Sequence, residues 1–190
     1  MKKILCILLL LLTGCSSKTS MIEIQKHVYV EKEFKDSWLE TNEFGDSYIK
    51  EELQGGYHYH FDQQFLEIFF NSGGKIELYN YSIKKNDLII SGEMIPPKTI
   101  RLVHPHLDNV TSEGVIIHEL GHYFDEKHQF SSSKQFTELY KKYRTLFNQK
   151  TKKEYFAECF KEYVGGHQEK VKSFHSYMKT ITQKIRQKNK

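Results

Sequence analysis

The chain reads as an α+β fold, a small mixed sheet followed by a helical part. Two observations predict it. Strand-like runs at Lys75 to Ile83, Asp87 to Ser91 and Thr99 to His104 are punctuated by Lys84-Lys85-Asn86 and by Pro96-Pro97. From Ser112 onward the apolar residues recur at helical spacing instead, in one stripe after another. With 190 residues, 38% of them hydrophobic, the chain can bury one core of ordinary size and not two. A single globular domain over 31–190 is therefore expected.

The first thirty residues stand apart. Lys2 and Lys3 precede an apolar run from Ile4 to Leu12, too short for a comfortable membrane span, and a polar stretch begins after Cys15. This is the pattern of a secretory signal. Leu12-Thr13-Gly14-Cys15 also resembles the lipobox of bacterial lipoproteins. That resemblance implies removal of 1–14, lipidation of Cys15, a tether over 15–30, and an exported protein held at the outer face of the membrane by its lipid alone. Of the three cysteines, Cys6 leaves with the signal and Cys15 is acylated, so Cys159 remains and no intrachain disulfide is possible. Cys159 lies in an apolar helical stretch and is expected as a buried structural thiol.

Along the body of the chain, Val28 to Phe34 suits a short strand and Ser37 to Leu53 a helix. Tyr57-His58-Tyr59-His60-Phe61 alternates as a strand would, with both histidines on one face, and is one candidate sheet edge. Phe65 to Phe70 suits a short buried helix before the Asn71-Ser72-Gly73-Gly74 turn. Beyond the sheet, Ile116, Ile117, Leu120, Tyr123 and Phe124 form a helical stripe, with Thr111 or Ser112 available as N-cap. Further stripes follow at Phe136 to Phe147, at Tyr155 to Tyr163 and at Val171 to Ile185. The formal charge of +4 is scattered among acids rather than gathered in a basic patch, which excludes a nucleic-acid footprint. A monomer is expected.

The chemistry gathers at His118-Glu119-Leu120-Gly121-His122. Residues four apart on a helix stand one turn above one another, so His118 and His122 can aim two imidazole nitrogens at a single Zn2+ ion. Glu119 can reach the open coordination position, take a proton from water there and hand it to a leaving amine. Zinc lowers the pKa of its water to about 7, which makes a carboxylate a sufficient base. Gly121 leaves room for a close neighbouring backbone, and Asp125, about a turn past His122, is placed to orient a ligand imidazole. A catalytic zinc site needs a third protein ligand. Glu154 and Glu158 share one helix face among buried aromatics, and the residues alone do not order them.

Together, His118 to His122 with Asp125, and Glu154-Tyr155-Phe156-Ala157-Glu158 with Phe160, resemble the zinc peptidase domain of anthrax lethal factor. The resemblance extends to its small secreted relatives, including the Pro-Pro endopeptidases. It implies a zincin-like fold, with the sheet packed on the helix of the first block. It also implies a zinc metalloendopeptidase that cuts an extended peptide or protein substrate outside the cell. Carried over, Glu154 is the third zinc ligand and Glu158 supports the site from behind. The family places a tyrosine seven residues before its ligand glutamate to steady the oxyanion, and this chain has Phe147 there. Losing one such donor typically costs about a hundredfold or more in rate. Tyr143, then Tyr140, are the expected substitutes. A catalytically weak, peptidase-like lipoprotein that binds a peptide or polymer without cutting it is the alternative.

Overall fold

A computed structural model describes 20–41, 45–85, 88–104, 113–149 and 151–188. The signal segment, Cys15, Thr111 and Ser112 lie outside the described residues. The sheet is built from strands β1 (Met21–Gln25), β2 (Val28–Glu31), β3 (Lys75–Tyr79), β6 (Gly92–Ile95) and β7 (Thr99–Val103) in the order β1-β2-β3-β7-β6. The central strands β2, β3 and β7 run parallel, and the edges β1 and β6 are antiparallel to their neighbours. Register follows the period of two. Val28, Ile76 and Ile100 form one cross-strand row and Val30, Leu78 and Leu102 the next, all buried. A slip of one residue would turn both rows to solvent, where each side chain forfeits about 1.5–3 kcal/mol of burial. The opposite face carries the ion pairs of Glu77 with Lys75 and Arg101, and of Arg101 with Glu93. Strands β4 (Ile83–Lys85) and β5 (Leu88–Ile90) make a separate hairpin.

Helices α1 (Lys35–Leu39), α2 (Tyr48–Gln54) and α3 (Gln64–Asn71) precede β3. Helices α4 (Val115–His128), α5 (Lys134–Tyr143), α6 (Lys152–Val164) and α7 (His175–Gln187) follow the sheet. Phe65 of α3, Phe124 of α4 and Phe160 of α6 meet with ring centroids 5.4 to 5.9 Å apart, so one aromatic cluster joins three helices. The α+β arrangement expected from the sequence is observed.

Four local expectations are corrected. Residues 21–25, expected as tether, form β1, while the strand expected from Val28 is present as β2. β1 is an edge strand that packs Ile22 and Ile24 against the core while leaving its other side exposed. The single helix expected from Ser37 to Leu53 is two, α1 and α2, the second capped by the Ser47 hydroxyl and ended by Gly55 at φ 88°. Residues Tyr57 to Phe61 form no strand. The His60 N–H donates to the Gly165 carbonyl at 2.8 Å, and Tyr59 fills the space left by Gly114 and Gly165, so packing rather than a ladder holds the segment. The sheet edge beside α4 is instead β6.

Candidate metal centre

Two glycines set the positions of the elements around the site. A Cβ on Gly121 of α4 would lie 2.9 Å from the Ala157 Cα of α6, so these helices cross in backbone contact. A Cβ on Gly92 of β6 would lie 2.6 Å from a Val115 methyl and 2.9 Å from the Arg101 carbonyl, so the edge strand lies hard against the start of α4. Between these contacts α4 presents His118, Glu119 and His122 to a cleft. The first turn of α6, capped by the Thr151 hydroxyl accepting from the Glu154 N–H, brings Glu154 to the same point.

The three donor atoms converge. His118 Nε2 lies 3.1 Å from His122 Nε2 and 3.3 Å from Glu154 Oε2, and His122 Nε2 lies 3.2 Å from the same oxygen. Ligand atoms on a tetrahedron with bonds of about 2.0–2.1 Å stand roughly 3.3–3.4 Å apart, so the observed triangle has the size that zinc requires. Two nitrogens and one carboxylate oxygen are also a donor set suited to that ion. Among the described residues this is the cluster able to hold a metal.

Glu158, one turn further along α6, places Oε2 3.2 Å from His118 Nδ1. This contact occupies the inner nitrogen of His118 and leaves Nε2 facing His122 and Glu154. The carboxylate is itself held by Lys161, whose Nζ lies 2.6 Å from Oε1. Electrostatics follow from this crowding. Burial opposes charge on His118, yet Glu154 and Glu158 outweigh it and push the imidazole pKa up to about 9. Hydrogen bonds from both imidazoles hold the Glu154 carboxyl far below the usual carboxylate range. Burial pushes Glu119 upward, opposed by the two imidazoles and by the Met94 N–H of β6, which donates to its carboxylate.

The cleft over this cluster encloses about 500 Å³, with β6 as one wall and α4 as the floor. A second chamber of about 220 Å³ shares Gly92, His118 and Glu119 with it, so the two meet at the metal position.

Not every residue expected at the site is there. Tyr143 packs its ring on Phe174, with the Lys142 ammonium 5.1 Å from the ring centroid, and it does not line the cleft. Tyr140 and Phe147 pack on Tyr155 at 5.2 and 5.3 Å. All three gather around Tyr155 and Phe174, whereas Glu154 and Glu158 face α4. Tyr143, expected as oxyanion donor, is thus placed among packing side chains and outside the cleft lining. Asp125 lines the cleft, but its two oxygens accept from the Ser131 N–H and hydroxyl, both at 2.6 Å. It fastens the turn after α4, and no bond to an imidazole is found among the described contacts. His58 pairs with Glu113 at 2.6 Å and His104 packs between Trp38 and Tyr48, and neither joins a second metal cluster among the described residues. Cys159 is buried, and burial pushes its thiol pKa up, as a structural cysteine requires. Gly92 and Met94 of β6 went unassigned in the sequence, because a four-residue strand shows too little alternation to be recognised.

No family profile and no curated protein sequence matches the chain. Among solved structures, it is similar to a Pro-Pro endopeptidase from Paenibacillus alvei at 16% identity, with a TM-score of 0.58 over 82% of this chain and 97% of that one. At that identity the likeness is one of fold, and the α+β framework that brings His118, His122 and Glu154 together is the framework this chain shares with a Pro-Pro endopeptidase structure.

Proposed function

We propose that the chain is a zinc-dependent endopeptidase of the zincin type, related to lethal factor and the Pro-Pro endopeptidases. It would act on an extended peptide of an extracellular protein while anchored at the cell surface through Cys15. The observation that carries the activity is the triangle of His118, His122 and Glu154 donor atoms at tetrahedral spacing, with Glu119 beside it. His118, His122 and Glu154 would hold a zinc ion, which would supply Lewis-acid polarisation of the scissile carbonyl and a lowered water pKa. Glu119, whose carboxyl is raised by burial, takes the proton from the attacking water and delivers it to the leaving nitrogen. Glu158 keeps His118 oriented throughout. β6 is a sheet edge in the cleft wall, and a substrate strand laid antiparallel to it would bring its backbone across the metal.

The test is zinc content and cleavage of a peptide library by the mature protein and by Glu119→Gln. The variant is expected to retain zinc and to lose about 10²- to 10⁴-fold in rate. Unchanged cleavage with zinc retained would remove Glu119 from the mechanism. The anchor is tested separately by labelling cells with a fatty acid, which should reach the protein and not its Cys15→Ala variant.

One observation favours a second reading. Among the described residues lining the cleft there is no tyrosine, so the donor expected to steady the oxyanion is missing from it. A weakly active or non-cleaving protein that binds a peptide or polymer would show zinc and partner binding without turnover over the same library.

A further inference from the structure

Behind His118 lies a chain of largely buried charges of which the proposed chemistry uses Glu158 alone. The side chains of Glu158, Lys161 and Glu162 are 14%, 16% and 5% exposed. The Lys161 ammonium stands between the two carboxylates, 2.6 Å from Glu158 Oε1 and 3.7 Å from Glu162 Oε1, and over the Tyr59 ring at 5.9 Å. Glu162 is anchored independently. The Tyr59 hydroxyl donates to it at 3.1 Å, His167 Nδ1 lies 3.0 Å away and Lys170 Nζ 3.0 Å. Glu158 has fewer partners, namely Lys161 on one oxygen and His118 Nδ1 on the other.

The asymmetry has a physical consequence. Glu158 and Glu162 are four apart on α6 and share a face, so without a cation between them they repel. Glu162 cannot yield, because three other groups hold it. Glu158 can yield, and its movement would release the His118 imidazole. We propose that Lys161 is a positioning residue for the metal centre: wedged between Glu158 and Glu162, its ammonium fixes the carboxylate that turns His118 Nε2 to the metal. This inference rests on the metal site proposed above. An ordinary solvated ion pair between Glu158 and Lys161 would be mobile and expendable. Here the lysine is enclosed by two carboxylates and a ring, and its place in the wall of the second chamber keeps it within reach of the site.

The experiment compares Lys161→Met, which keeps the apolar stem over Tyr59 and removes the charge, with Lys161→Arg, which restores the charge. Zinc affinity is measured by chelator competition. The His118 Nδ1 proton is followed by NMR in the metal-free protein, and the metal-free melting midpoint is recorded for each variant. Lys161→Met is expected to bind zinc about tenfold or more weakly, as outer partners of metal-bound histidines typically show. It is also expected to lose the hydrogen-bonded proton signal, and Lys161→Arg to recover both properties. In turnover the loss should fall on kcat and not on KM. Zinc binding within about threefold in Lys161→Met, with the proton signal retained, would overturn the proposal. So would equal loss in Lys161→Arg accompanied by a lowered melting midpoint, which marks a general folding role. If the wild type itself takes up no zinc, the enzymatic reading fails, and the proton signal still decides whether Lys161 positions His118.

Discussion

Replacing Gly121 with alanine tests how tightly the metal centre depends on one backbone contact. The added Cβ would stand 2.9 Å from the Ala157 Cα and 3.3 Å from its Cβ and carbonyl oxygen. Carbon contacts are most favourable at about 3.5–4.0 Å, so α6 must retreat by roughly 0.6–1 Å at the crossing. Glu154 lies less than one turn away on the same helix and must move with it. Its carboxylate now stands 3.2 and 3.3 Å from the two imidazole nitrogens, whereas a zinc site tolerates errors of about 0.2 Å. The fold should survive. Overpacking costs about 1–3 kcal/mol, and exchanging glycine for alanine inside a helix returns about 1 kcal/mol, which leaves a net loss of roughly 0–2 kcal/mol. A misplacement near 1 Å costs about a hundredfold in rate, and a comparable loss in zinc affinity is expected. Chelator competition and denaturant unfolding of the metal-free protein separate the two effects. A Gly121→Ala protein that binds zinc as the wild type does would refute the inference that this contact sets the ligand triangle.

Four further outcomes follow from the geometry. Tyr143→Phe and Phe147→Tyr should each leave kcat within about twofold, well short of the hundredfold typical of an oxyanion donor, because both side chains pack away from the cleft. Steady-state kinetics on any cleaved peptide checks this. In the metal-free protein the His118 pKa stands at about 9 against an ordinary 6.5. Its stabilising contribution is therefore complete below about pH 6.5 and is lost as pH rises through about 9, so the metal-free melting midpoint should fall across that window. Zinc displaces the same proton, and calorimetric titration near neutral pH in buffers of different ionisation heat should record its release. Burial holds the Cys159 thiol well above its ordinary pKa, so a thiol reagent should label it in denaturant and leave the native protein untouched.

What was legible in the sequence was legible where one periodicity governs. His118 and His122 share a face of α4 because both lie inside one helix, and Glu154 and Glu158 share a face of α6 for the same reason. Gly121 announced a close approach by its lack of a side chain, and Ala157 is what approaches. Counting across a connection does not have this support. The step of seven residues from Glu154 back to Phe147 leaves α6 and enters the segment between α5 and α6, where no helical geometry ties residue number to direction. Phe147 consequently packs on Tyr155, and the tyrosines of α5 pack beside it. Edge strands failed for another reason. β1 and β6 bury one side only partly and are held by backbone hydrogen bonds, which leave little mark on side-chain identity.

The order of the two glutamates shows how local pattern and tertiary contact divide the work. Within α6 Glu154 and Glu158 are equivalent by spacing, and either could have met the imidazoles. The crossing at Gly121 and Ala157 breaks the equivalence, because it places the start of α6 beside both Nε2 atoms and the next turn beside His118 Nδ1. Glu154, 45% exposed, then faces the open cleft where a ligand is needed, while Glu158, 14% exposed, lies behind the imidazole with Lys161 to offset its charge. Two carboxylates of the same residue type thus acquire different surroundings from one helix crossing. The Lys161 pairing stands only on the inner one, so exchanging lysine for methionine should loosen the site through His118 and leave the approach of Glu154 to His122 as it is.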